Sequence, residues 1–489
     1  MQFLTTEQVG TILGGRWMRS PHQAVVEPHG VSTDTRAGVA GSCFIALAGD
    51  RFDAHDCLQQ AIDGGASMLV LEADRCPRSV PGDCPVLLVE DTRAALWSLA
   101  EFWRSRLDAT VVAITGSAGK TTVRRMLQAI LEHADEHAGT GRVTASVKSF
   151  NNELGVPLTI LRARPDDRFL VLEVGTNETG ELARLGALVR PDLAAITNIA
   201  RAHLEGLGSL EGVADEKASL LSFIGSGGTA IVPVEDEGPL RPAVLRSLPE
   251  EVQIIDFGVE SGDLSLLDRT SFDPSGGQAF ALADGFTGRI RLAGAYNVLN
   301  AMVALGLARS LGITDEVIGS AFSELNPDPM RFSGEVLGVS GIMLYNDAYN
   351  SNPDALRVAL ETFGELAADA PRRLVVLGDM MELGDQAPTL HAEVADQLMA
   401  IHRRTPLEVV VLVGTAMQEC QHRLRELGFC NLVAQVPELD ELLVESIGAL
   451  VCEGDAVLVK GSRSMHLEQV VEAIRGRVDI ETGELASPV

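Results

Sequence analysis

The residues with the most explicit chemistry stand between Val111 and Thr122, in VVAITGSAGKTT. Gly116, Ser117, Ala118 and Gly119 form a short glycine-bounded turn whose backbone N–H groups can face phosphate oxygens, and a helix start adds its positive end. Lys120 can reach the β- and γ-phosphates of a nucleotide. The hydroxyl of Thr121, with Thr122 beside it, suits Mg²⁺. The longer G-x-x-x-x-G-K-[ST] pattern needs glycine at 114, where Ile114 stands, so this is a shortened T-G-x-x-G-K-T-T loop. Further along, the apolar run Arg168–Val174 contains Glu173, an acid at the carboxyl end of an expected strand, where open α/β sheets place ligands. His203 follows the next strand, Leu193–Ile199. Lys217 falls inside the apolar stripe Val213, Leu220, Leu221, Ile224. A lysine there is costly unless it pairs, for instance with Glu216, or is chemically changed. Asn297 and Asn300 sit in the first turns of a helix expected from Leu292 to about Leu311, where asparagine is commonly a cap.

These groups need a scaffold, and the pattern supplies one. Val111–Thr115 is a strand, and Val123, Met126, Leu127, Ile130, Leu131 and Ala134 mark one face of the helix behind the loop. Before this unit, residues 1–105 carry short β pieces at Cys43–Leu47, Met68–Leu71 and Val86–Val89, a short helix at Leu58–Gly65, and polar clusters at Asp34 with Arg36 and at Arg51 with Asp53 and His55. Residues 106–326 hold the phosphate loop, with extra β structure over 225–290. Asn326-Pro-Asp-Pro329 breaks the chain. Beyond it, strands at Ile342–Asn346, Leu374–Leu377, Glu408–Val413 and Ala456–Lys460 alternate with helices near 353–368, 389–401, 415–427, 437–451 and 464–475, a doubly wound pattern over 327–489. Its strand ends are polar: Asp347–Pro353, Gly378–Gly384 and Lys460–Ser464. No G-x-G-x-x-G is present. The predicted fold is α/β in three domains, 1–105, 106–326 and 327–489.

Composition narrows the function. A formal net charge of −29 argues against nucleic acid, which wants a basic face. Hydrophobic content of 46% with mean hydropathy of +0.15 describes a globular chain. No run approaches the roughly 20 apolar residues of a membrane span, so a soluble cytoplasmic protein is expected. The seven cysteines form no C-x-x-C, which favours free thiols over disulfides or zinc.

Taken together, TGSAGKTT, Glu173, Asn198–Leu204, Lys217, Gly294–Asn300, and Arg331 with Asp347 resemble the Mur ligases, the ATP-dependent amide-forming enzymes of peptidoglycan precursor synthesis. The stretches SFNNELGVPLTIL (149–161), NDAYNSNPDALRVAL (346–360), LGDMMELG (377–384) and VKGSRSM (459–465) look like the member that adds D-alanyl-D-alanine. The member that adds the third peptide residue usually carries Asn-Pro-Arg and a D-Y-A-H type motif, and this chain has neither. The resemblance implies a small N-terminal α/β domain that holds UDP-MurNAc-tripeptide, with Thr33, Asp34, Thr35, Arg36 and the stretch 49–55 as its contacts. It implies a central P-loop ATPase with a parallel sheet and a C-terminal Rossmann-like domain for D-Ala-D-Ala. ATP and two Mg²⁺ are implied as well, one on Thr121 and Glu173, the other on Glu173, His203 and a carbamylated Lys217. Asn297, Arg331 and Asp347 would contact ATP; Asn151 and Asn152, with Asn350, Asn352 and Arg463, would contact substrate. Two departures stand out: Ala118 replaces a common asparagine, and Tyr296 a common histidine, which leaves the adenine contact open. A monomer is expected. Folylpolyglutamate synthase, of the same fold family, and a P-loop switch protein that ligates nothing are the rival readings.

Overall fold

The computed structural model describes residues 4–21, 30–49, 52–234, 238–273 and 277–478; Arg51 lies outside the described residues. Among them the strands form three sheets. The first contains β1 (Arg16–Arg19), β2 (Val31–Ser32), β3 (Cys43–Ile45), β4 (Met68–Glu72) and β5 (Val86–Val89). Its order is β1-β5-β4-β3-β2, parallel except for β1 at one edge.

The central sheet contains β6 (Thr110–Thr115), β7 (Val143–Ala145), β8 (Phe169–Glu173), β9 (Leu193–Ile196), β10 (Thr229–Pro233), β11 (Gln253–Gly258), β12 (Leu264–Arg269), β13 (Gln278–Leu282) and β14 (Thr287–Ile290). Its order is β14-β13-β12-β11-β10-β9-β6-β8-β7. The segment β7 to β11 is parallel, and β12 to β14 fold back as antiparallel ribbon, the extra β structure expected over 225–290. Strands covered on both faces by helices are apolar in their interiors, and β6, β8 and β9 are, with polar Thr115 and Glu173 at the carboxyl ends that face the site. Helix Lys120–Ala138 lies against them. Val123, Met126, Leu127, Ile130 and Leu131 are fully buried and Ala134 nearly so, the face its spacing marks out.

The third sheet contains β15 (Ser333–Leu337), β16 (Ile342–Asp347), β17 (Arg373–Gly378), β18 (Val409–Val413), β19 (Leu432–Val436) and β20 (Ala456–Lys460), in the order β15-β16-β20-β17-β18-β19. Only β15 is antiparallel to its neighbour. No helix among the described residues is long and apolar enough to cross a membrane. The seven cysteines are free.

Several boundaries differ from the sequence reading for physical reasons. The strand expected to run to Ile199 ends at Ile196, because Thr197–Ala200 leave the ladder and bond to the phosphate loop instead. The helix carrying Lys217 ends at Ser219 and tightens into a 3₁₀ turn over Leu220–Phe223, yet Val213, Leu220, Leu221 and Ile224 are all buried. The helix expected from Leu292 begins at Ala295, after Gly294 at φ 91°.

The three units are joined in different ways. Helix Thr92–Arg104 shares one apolar core with the first sheet and the central sheet through Leu96, Leu99 and Trp103. Its Trp97 and Trp103 indoles donate to Glu153 O and Ala163 O, each at 2.8 Å. The central and third units meet through a smaller peg, Leu204, Leu207 and Val213, which packs with Phe332, Met380 and Leu383. Around it lie charged contacts. Arg201 pairs with Asp354 at 3.2 Å and with Glu393 at 2.9 Å.

Candidate active site

The site begins where β6 ends. In-register neighbours bring Ile114 beside Glu173 and Thr115 beside Ile196, so three strand ends meet at one crevice. Gly116 has φ 144° and Gly119 φ 81°, backbone that side chains rarely adopt. There is also no room for one. A Cβ on Gly116 would come to 1.9 Å from Thr197 Oγ1, and one on Gly119 to 2.3 Å from Asn300 Oδ1. The loop is braced from behind: Ser117 N donates to Asn198 O at 3.1 Å, and Ala118 N to Asn198 Oδ1 at 2.9 Å. Ser117 Oγ and Ala200 N bond at 3.0 Å.

Lys120 folds back over this turn and donates to Gly116 O at 2.7 Å. Burial holds its amine below the ordinary lysine range, Glu173 opposes that shift, and Arg331 adds to it. Thr121 donates its hydroxyl to Glu173 Oε2 at 2.8 Å. Glu173 is held on its other oxygen by Asn151 Nδ2 at 2.8 Å, and Ser146 Oγ accepts its backbone N–H at 3.0 Å. Asn151 thus orients the acid from the loop after β7. Arg124, buried on the loop-side helix, steadies the same segment by donating to Lys148 O at 3.3 Å.

Lys217 is 1% exposed, and its Nζ has no hydrogen-bond partner. The pairing with Glu216 does not form. Glu216 instead accepts from Gly180 N at 2.7 Å and Leu182 N at 2.8 Å. Burial, with Lys120 nearby, brings the Lys217 pKa down to about 7, against the pull of Glu216. His203, at φ 54°, is turned toward the third unit, where its Nδ1 bonds the Glu382 carboxylate.

Arg331 reaches the loop from the chain after the Asn326-Pro-Asp-Pro329 break. It donates to Thr121 Oγ1 at 2.9 Å and to Ser149 Oγ at 3.4 Å, and stacks 4.0 Å from the centre of the Tyr349 ring. Asp347 accepts from Lys460 Nζ at 2.6 Å and from Phe332 N at 3.1 Å. Its carboxyl is pushed up by burial and held back by Lys460. Neither Asn297 nor Asn300 is a cap. Asn297 Nδ2 donates to Ala293 O at 2.7 Å, and Asn300 Nδ2 to Asn297 Oδ1 at 3.1 Å, which aims Asn300 Oδ1 at Gly119. Tyr296 packs edge-on to Phe332.

Other expected substrate residues have local partners. Asn352 caps a helix, accepting from Ala355 N at 2.8 Å, and Asn152 accepts from Leu154 N at 3.1 Å and Gly155 N at 2.9 Å in the turn before another. Asn350 offers its carbonyl to Lys460 Nζ at 3.0 Å, and Arg463 pairs with Glu468 at 2.8 Å. In the first unit, Asp34 binds Arg36 through both oxygens, Thr35 donates to Gln60 at 3.2 Å, and Thr33 lies beside them, half-buried. None of these four bonds to the phosphate loop. Asp53 and His55 are consumed by a structural network: His55 Nδ1 bonds Asp53 at 2.6 Å and its Nε2 accepts Glu72 N at 3.0 Å. Ser149, Asn198, Arg201 and Glu382, which lie in stretches that carry the resemblance but were assigned no role, and Thr197, expected in a strand, also take part in the site or its borders. Their signal was position in strand-end loops of polar composition.

The residues present fit Mg²⁺. Thr121 and Glu173 offer hard oxygens side by side, and the buried Lys217 amine, which feels the charge of Lys120, is left without a partner. A P-loop at the carboxyl ends of a parallel sheet, an acid beside its threonine, and a second α/β unit reaching over it define a nucleotide-dependent phosphoryl-transfer enzyme. Residues 114–308 match the Mur ligase middle domain and residues 330–463 the Mur ligase, glutamate ligase domain. The UDP-N-acetylmuramoyl-tripeptide–D-alanyl-D-alanine ligase of Escherichia coli is 33% identical over 96% of this chain and 98% of its own. A MurF crystal structure from Acinetobacter baumannii superposes with a TM-score of 0.80 at 27% identity, covering 97% of this chain and 100% of that one. MurF from Thermotoga maritima in complex with ADP gives 0.73 at 26% identity over 91% of this chain and 97% of that one. The chain belongs to the Mur ligase family.

Proposed function

We propose that this chain is an ATP-dependent ligase that joins D-alanyl-D-alanine to UDP-N-acetylmuramoyl-tripeptide in peptidoglycan precursor synthesis. The observation that carries the chemistry is the cluster of Lys120, Thr121, Glu173 and the unpaired, buried Lys217 at one crevice. Similarity over nearly the whole chain to relatives of that name supports the choice of substrates.

A carboxylate resists amination because its oxygen is a poor leaving group. An acceptor carboxylate oxygen attacks the γ-phosphorus of ATP, ADP departs, and an acyl phosphate results. The dipeptide amine, having lost a proton, then adds to the acyl carbon, and the tetrahedral intermediate expels inorganic phosphate. Lys120 and the N–H groups at the helix start stabilise charge on the phosphates, since those of Ser117 and Ala118 are taken by Asn198, and Arg331 is placed to add a second cation. Asn151 keeps Glu173 aimed at Thr121. Asn300 and the Thr197–Ala200 segment keep the loop in its strained shape. Two Mg²⁺ would be held by Thr121 with Glu173 and by Glu173, His203 and a carbamylated Lys217; bound there, they would neutralise phosphate charge and draw the acceptor carboxylate close.

Acceptor labelled with ¹⁸O in its terminal carboxylate tests the reading. Ligation moves one label into inorganic phosphate for each amide formed. Unlabelled phosphate, its oxygen drawn from water, would leave a hydrolase or switch.

A further inference from the structure

The LGDMMELG segment is a polar strand end on the border of the site, and the polar groups of Asp379, Met380 and Met381 are committed to their own unit. Asp379 caps the helix that begins at Met417, accepting from Ala416 N at 3.1 Å and Met417 N at 2.9 Å. Met380 N donates to the buried His391 at 3.0 Å, and Met381 N to Ser462 Oγ at 3.1 Å. Leu383 is buried with the Leu204–Leu207 peg. Glu382 crosses to the central unit through its polar groups. Its backbone is left-handed at φ 63°, its carbonyl accepts from Glu205 N at 3.1 Å, and its carboxylate bonds His203 Nδ1. His203 is itself left-handed. Two strained non-glycine residues from different units therefore face each other and are joined both by side chains and by backbone. Strain of this kind costs on the order of 1–3 kcal/mol per residue and persists only where the surroundings impose it.

An ordinary docking tether does not require that arrangement. Arg201, two residues away, already ties the same surfaces through Asp354 and Glu393. What Glu382 adds is orientation. A carboxylate on Nδ1 favours the neutral tautomer that carries its proton there, and Nε2 bonds to no protein group among the described residues. A carboxylate behind the distal nitrogen is how a ligating histidine is aligned and made more basic.

Resting on the ligase reading above, we propose that Glu382 is a positioning residue. It aligns His203 for its Mg²⁺, and does so only while the third unit is docked on the central one. Docking of the third unit on the central one thereby completes the metal site.

The test is Mn²⁺ binding to the full-length chain with a non-hydrolysable ATP analogue, followed by electron paramagnetic resonance, in wild type, Glu382→Gln, Glu382→Ala and Arg201→Gln. The expected result is a fall of about 10-fold or more in affinity for one of two Mn²⁺ in both Glu382 variants, with affinity for the analogue unchanged. In turnover the same variants should lose kcat while KM for ATP holds. Small-angle scattering on the same samples separates orientation from tethering. Glu382 variants as compact as wild type with weakened Mn²⁺ binding support the proposal. Mn²⁺ affinity within twofold of wild type in folded Glu382→Ala overturns it, whether or not the molecule has opened. Failure of the ¹⁸O transfer in wild type would overturn the ligase reading, an outcome the metal titration does not produce.

Discussion

A lysine amine shut away from water without an acceptor is an expensive thing to keep. Lys217 is such a group, with its pKa brought down to about 7 and Glu216 turned elsewhere. A large fraction is then neutral amine near pH 7. That amine can add to CO₂, releasing one proton and forming an anionic carbamate, an oxygen ligand of the kind Mg²⁺ prefers. Lys217→Ala should therefore be inactive and partly rescued by formate or acetate. Rescue by small amines alone would mean that an ammonium touches the acceptor. Lys120 makes a cleaner test of the phosphate loop. Its Nζ sits within the turn on Gly116 O, so Lys120→Ala should keep the fold and lose at least about 100-fold in rate, about 2.7 kcal/mol in the transition state. A variant retaining more than about a tenth of turnover removes Lys120 from the mechanism.

At the scale of elements, the loop is shaped by what stands behind it. Gly119 needs left-handed backbone and lies where Asn300 Oδ1 leaves no space. Gly119→Ala should lower stability by roughly 1–3 kcal/mol and weaken binding of an ATP analogue, read by thermal melting and calorimetric titration. An unchanged affinity would mean the loop does not carry nucleotide in this shape. Asn300→Ala should relieve the contact and recover part of the loss in the double variant. Glu173 depends in the same way on the loop after β7. Asn151→Ala frees one carboxylate oxygen, and activity should fall about 10-fold at constant melting temperature.

For the whole molecule, the two junctions are not equivalent. Residues on both sides of 105 share one apolar core through helix Thr92–Arg104, whereas the units on either side of 326 meet through a small peg ringed by ion pairs. Apolar cores resist opening, while half-exposed ion pairs contribute only about 0.2–1 kcal/mol each and weaken with salt. Opening should therefore occur chiefly near 326. Arg201→Gln should shift the closed-to-open ratio by a few-fold, seen as an increased radius of gyration that added ATP analogue and acceptor reverse. Scattering that is indifferent to this substitution and to salt would place the motion elsewhere.

Sequence alone determined the phosphate loop, the acid at the end of β8, the inward lysine and the alternating third unit. Each is a local matter: turn chemistry, the period of apolar residues, and the type of residue at a strand end. It also placed the helix behind the loop, because its stripe recurs at 3.6 residues. Tertiary structure decided what these groups touch. That Glu216 leaves Lys217 alone, that Asn151 bonds Glu173, and that Glu382 crosses to His203 all depend on contacts between residues far apart in the chain. Such contacts are set by how sheets and helices pack, and packing leaves no periodic mark on the residues it brings together.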